Sequence, residues 1–213
     1  MNWILIALNL YVFIREVMLP PRQLNEVFYT LGVIPASVTQ LLLNGSDMVY
    51  VIITFFTAMF LHGGWTHMLG NMLFLWVFGD NVEDRLGHFK YFLFYLATGI
   101  FGSIAHIISN PFSEVPIIGA SGAIAGVLGA YFVTFPRARV LTLLPIIIFF
   151  TIVEIPAVIF LAFWFVLQLF NGTASLGGAV NPVAWWAHVG GFLSGIALIK
   201  IMAPGRKHIY NRE

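Results

Sequence analysis

The sequence predicts an all-α, polytopic membrane protein, and two observations carry that prediction. Hydrophobic residues make up 60% of the chain and charged residues only 9%, against roughly 25% charged residues in a soluble domain. The apolar residues also gather in continuous runs without the polar alternation of a channel-lining strand, which favours a helical bundle over a barrel. A span needs roughly 20 apolar residues, so 213 residues leave room for six helices and little else. A single membrane domain, residues 1–213, is expected.

Six runs qualify as spans, at about 3–19, 65–82, 89–108, 120–135, 152–170 and 183–202, separated by Gly, Pro, Asn or charged residues. The first has no basic leader, and Arg15-Glu16 follows it where a signal peptide would offer small residues for cleavage. It is expected to stay as the first helix. Between the first two spans lies a long loop, 20–64, in which Val49 to Leu61 is strongly apolar before His62-Gly63-Gly64. This loop is expected to be partly embedded in the membrane. Residues 140–151 are also apolar, but Pro145 and Pro156 interrupt the stretch and Glu154 follows it; an interfacial lead-in to the fifth span is expected. Cysteine is absent, which excludes disulfides and thiolate chemistry. A net charge of +1 gives no footprint for a nucleic-acid partner, so the lipid bilayer is the expected surroundings.

Cytoplasmic loops collect Lys and Arg. Arg85, Lys90, Arg137, Arg139, Lys200, Arg206, Lys207 and Arg212 fall on one side of the predicted bundle, and Arg15 and Arg22 on the other. Both termini are then expected in the cytoplasm. The lack of an organelle presequence points to a prokaryotic plasma membrane.

Polar side chains inside a bilayer are costly, so each is a functional candidate. Ser121 lies about 24 Å from Arg137 along its helix, His188 about 18 Å from Lys200, and Asn71 and His67 about 21 and 27 Å from Arg85, at 1.5 Å per residue. All four therefore fall in the outer half of the membrane. His67 and Asn71, four residues apart, share one helical face. Ser121 sits in Gly119-Ala120-Ser121-Gly122, where glycines permit close backbone approach and a helix start leaves N–H donors free to stabilise an oxyanion. Gly122 and Gly126, like Gly191 and Gly195, are small-xxx-small pairs that let helices pack tightly. If those stripes meet, the Ser121 hydroxyl comes within reach of the His188 imidazole, the usual base for such a nucleophile. Asp80, Glu83, Asp84 and Glu154 lie toward the cytoplasmic end, and Asp47 and Glu114 in outer loops, so no carboxylate completes a triad. A Ser-His dyad is expected.

The combined pattern His67-x-x-x-Asn71, Val82-Glu83-Asp84-Arg85-Leu86-Gly87, Gly119-Ala120-Ser121-Gly122 and Ala187-His188-Val189-Gly190-Gly191-x-x-x-Gly195 resembles the rhomboid proteases over residues 62 to 195. The resemblance implies a six-helix rhomboid-like bundle with Ser121 as nucleophile and His188 as general base. It further implies that His67, Asn71, the Ser121 N–H and Gly119 surround the oxyanion, and that Glu83 and Arg85 form a structural charged pair. The implied reaction is hydrolysis of single-pass transmembrane protein substrates near the outer membrane boundary, with no metal and no cofactor. Two departures stand out. Ala125 occupies the position where many members carry a tyrosine that packs on the histidine, leaving Trp185 or Trp186 to brace His188. The Trp-Arg pair that some members carry in the first loop is also missing.

Three other readings compete. A non-catalytic rhomboid-like client-binding protein typically lacks the serine or the histidine, and this chain has both. A transporter relay through His67, His188 and Glu154 would string ionisable groups across the membrane, whereas the histidines cluster in the outer half and Glu154 stands alone near the other face. A zinc protease would need a His-Glu-x-x-His motif, which does not occur. His106 is expected to be structural, and His62 either to line the outer entrance or to be an interfacial loop histidine.

Overall fold

The computed structural model describes residues 1–44, 48–146, 149–176 and 183–203. Asp47, the loop residues 177–182 and the basic residues Arg206, Lys207 and Arg212 lie outside the described residues. The chain is mostly helical. It runs through α1 (Asn2–Val17), α2 (Pro21–Leu31), α3 (Pro35–Asn44), α4 (Met48–Thr57), a short 3₁₀ turn (Ala58–Phe60), α5 (Trp65–Leu86), α6 (His88–Ser109) and α7 (Ser121–Thr134). A hairpin, β1 (Arg139–Ile146) and β2 (Phe149–Pro156), precedes α8 (Ala157–Ser175) and α9 (Trp185–Met202).

By length and composition, α6, α8 and α9 can each cross a bilayer, and α4 with α5, bent by 84° at the break between them, makes a fourth candidate. At 16 and 14 residues, α1 and α7 are shorter. Every residue of α7 from Gly122 to Tyr131 is buried, because it runs through the middle of the bundle with α6 and α9 packed on it. A helix surrounded by other helices is apolar on all faces, which explains its lack of amphipathic character.

The stretch 139–156 corrects the expected start of the fifth span at 152. The stretch forms an antiparallel hairpin, with Val140 opposite Ile155 and Leu143 opposite Ile152, so the following helix begins at Ala157 and not at 152. The run is dense in Val, Ile, Thr and Phe, which suit a strand. Pro156 cannot donate a backbone bond and stands directly before the first helical residue. Glu154 accordingly lies on the hairpin, exposed and 3.4 Å from Arg139.

Close contact between α7 and α9 runs along the two glycine stripes. A Cβ at Gly191 would stand 2.0 Å from the Gly122 carbonyl oxygen, and one at Gly195 would stand 2.0 Å from that of Gly126. The helices thus touch backbone to backbone.

Helix α1 carries a buried polar stripe, Asn2, Asn9 and Glu16, at seven-residue spacing. Asn2 Nδ2 donates to the Leu75 carbonyl (3.0 Å) and to Asp80 (2.7 Å), and its Oδ1 accepts from Tyr91 (2.8 Å). Glu83 accepts from the Met1 amino group and the Asn2 N–H and pairs with His88. The Glu83 carboxylate thereby ties the start of helix α1 to α5.

At the other end of α1, the buried Glu16 carboxylate accepts the His62 N–H at 3.1 and 3.2 Å. Glu16→Leu strands that donor and is expected to cost about 1–3 kcal/mol, whereas Glu16→Gln keeps an acceptor. Thermal unfolding in detergent checks the difference: the leucine variant melts earlier and the glutamine variant near wild type.

Candidate active site

Helix α7 starts at Ser121, and the segment leading to it is pinned by the first loop. Val33 and Ile117 exchange two backbone bonds (3.1 and 2.8 Å), and the Gly119 N–H donates to the Ala58 carbonyl at 2.8 Å. Gly119 has φ +115°, and its Cα faces the His67 ring so closely that a Cβ there would stand 2.7 Å from Nε2. Glycine is required on both counts. One expectation changes: the Gly119 N–H is already bonded, so Gly119 supplies shape and not an oxyanion donor.

Across the α7–α9 contact, His188 Nε2 stands 2.9 Å from Ser121 Oγ. His67 and Asn71 reach the same place from α5, and all four residues line one cavity of about 820 Å³, within the usual range for ligand pockets. Asn71 is buried, and its Nδ2 has no partner among the described residues. A buried donor left unpaired is uncommon and costly. It would stand 3.8 Å from a Cβ on Gly119, two residues before the serine. As the first residue of α7, Ser121 also has an N–H with no helical acceptor.

The other face of His188 is held by residues that sequence reasoning missed. Its Nδ1 lies 2.8 Å from Gln168 Oε1, and the Trp164 ring packs 5.9 Å away at 37°. Trp185 meets the imidazole edge-on at 6.0 Å, as expected of it, whereas Trp186 donates to the Gly172 carbonyl at 3.1 Å. Ala125 is buried beside Gly191, with its Cβ 3.2 Å from where a Gly191 Cβ would stand. The bracing therefore comes from α8, through Gln168 and Trp164, together with Trp185 on α9. The signal for Gln168 was available, since it is an amide in an otherwise apolar span, one turn after Trp164.

His62 lies in the short loop between the 3₁₀ turn and α5 and is buried there. It is 1% exposed, with its ring 5.1 Å from His67 and edge-on to Phe13. His106, on α6, lines the same cavity, with a buried Nδ1 that has no partner among the described residues.

The chain is similar to known proteins of one family. The family model described as the Rhomboid domain matches residues 49–205. The chain is 35% identical over 142 residues to Rhomboid protease GluP of Bacillus subtilis (strain 168), covering 67% of this chain and 25% of that protein. It is 32% identical over 154 residues to RHOMBOID-like protein 6, mitochondrial, of Arabidopsis thaliana, covering 70% and 43%. A third relative, Rhomboid protein 1, mitochondrial, of Saccharomyces cerevisiae (strain ATCC 204508 / S288c), is 34% identical over 99 residues, or 45% and 29%. The chain thus spans a quarter to under a half of these relatives. A domain match over most of the chain, with apolar helices long enough to span a bilayer, makes this an integral multi-pass membrane protein of the rhomboid family.

Proposed function

We propose that this chain is an intramembrane serine endopeptidase that cuts single-pass membrane proteins near the outer boundary of the bilayer, using Ser121 and His188. The observation that carries the reading is the 2.9 Å contact between Ser121 Oγ and His188 Nε2 on the wall of a cavity that also holds an unpartnered donor, Asn71 Nδ2. Ser121 gives its proton to Nε2 as Oγ attacks the scissile carbonyl carbon. The resulting oxyanion takes hydrogen bonds from Asn71 Nδ2, His67 and the Ser121 N–H. The tetrahedral intermediate then collapses, the C–N bond breaks, and the imidazolium returns the proton to the leaving amine. Water, deprotonated by the same histidine, hydrolyses the acyl-enzyme.

In this reading the chain forms one six-helix membrane domain with both termini in the cytoplasm, α1 and α7 completing the spans. The positive-inside bias of the loops supports that orientation. GluP bears the name of a rhomboid protease, which supports the chemical class.

The test is labelling of the purified protein with a fluorophosphonate. Wild type is expected to label and Ser121→Ala and His188→Ala to remain unlabelled; equal labelling of all three sinks the dyad. Asn71→Leu removes an oxyanion donor and is expected to lower kcat by about 10²–10³-fold with KM little changed, because the bond forms only in the transition state. Steady-state cleavage of a helical substrate measures it.

A further inference from the structure

We propose that Gln168 is a positioning residue that sets the tautomer of His188, doing with a neutral amide what a carboxylate does in a triad; this rests on the Ser121/His188 reading above. The amide is buried and held at both ends. Its Nε2 donates to the Trp164 carbonyl one turn back on α8 at 3.0 Å, and its Oε1 faces His188 Nδ1 at 2.8 Å. An oxygen can only accept, so Nδ1 carries the ring proton. A neutral imidazole with its proton on Nδ1 has its lone pair on Nε2, which is the atom 2.9 Å from Ser121 Oγ. The opposite tautomer would set an Nε2–H against the hydroxyl that must lose its proton. It would also leave two lone pairs, on Nδ1 and Oε1, facing each other.

The ring is held in place as well as protonated correctly. Trp164 supplies both the carbonyl that fixes the Gln168 amide and the indole against the imidazole. One turn of α8 thus does the work for which no carboxylate among the described residues bonds His188.

Two substitutions separate positioning from packing. Gln168→Met keeps the length of the side chain but loses the acceptor. Gln168→Glu keeps a side-chain oxygen that accepts from Nδ1–H. The readout that does not depend on proteolysis is the tautomer itself, from ¹⁵N NMR of histidine-labelled protein in detergent micelles, with His188→Ala assigning the signal. Wild type and Gln168→Glu are expected to show Nδ1–H, and Gln168→Met to lose that preference. In cleavage assays Gln168→Met is expected to lose about 10–100-fold in kcat with KM unchanged, less than the roughly 10⁴-fold lost when a triad carboxylate is replaced, and Gln168→Glu to retain most activity. An Nε2–H ring in wild type, or an unchanged tautomer in Gln168→Met, overturns the proposal. A wild-type protein that holds the Nδ1–H tautomer but neither labels nor cleaves overturns the protease reading instead, leaving the tautomer assignment standing.

Discussion

Ser121→Ala is expected to lower cleavage of a helical membrane substrate by about 10⁶-fold in kcat, the scale on which removing a nucleophile or its base acts in a serine protease, while the fold survives. The recorded side-chain bond of Ser121 is the one to His188, and alanine is well tolerated at a first helical position. The packing of α7 on α9 depends on Gly122 and Gly126, not on the hydroxyl. The thermal midpoint should therefore stay near wild type. His188→Ala should cost about as much, and the double variant no more than either single one, because nucleophile and base act as a unit. Cleavage measured in proteoliposomes decides it: additive losses, or a Ser121→Ala protein that still cuts, would remove Ser121 from the proposed chemistry.

Gly191→Ala is expected to destabilise the bundle and disturb the site together. The added Cβ would stand 2.0 Å from the Gly122 carbonyl oxygen, 3.0 Å from its carbon and 3.2 Å from the Ala125 Cβ. Backbone, unlike a flexible side chain, cannot swing aside, so the helices must separate. Overpacking costs about 1–3 kcal/mol or more, and here it also moves His188, three residues earlier on the same helix, away from Ser121. Stability and cleavage should fall together. Gly70→Ala is the control for stability, since a Cβ there meets nothing within 4 Å and alanine favours a helix. Thermal unfolding of both variants in the same detergent gives the comparison; a Gly191→Ala protein as stable as wild type would mean that α7 and α9 do not touch as described.

Much of the candidate site was legible because its signals are local. Ser121, His188, His67 and Asn71 are polar residues in apolar runs, and counting residues from charged helix ends placed them at one depth without any knowledge of packing. The glycine pairs predicted a close contact between α7 and α9, and the structure has it. Other features were not legible in the same way. Residues 152–156 read as the start of the fifth span, because an apolar run looks alike whether it enters a span or folds back as a hairpin. The Gly119 N–H looked free until the Ala58 carbonyl, from another part of the chain, was found bonded to it.

By itself, the sequence determined the membrane character of this protein, the helical class of most of its chain, and the residues able to carry chemistry, since composition, periodicity and spacing depend only on residue order. The tertiary structure alone decided how each helix is rotated about its axis. That rotation turns Asn2, Asn9 and Glu16 inward, seats His62 against His67, and brings Gln168 to His188 across 20 residues of chain. Local sequence could not reveal it, because the rotation is chosen by which glycines let two backbones touch and which buried polar groups find partners.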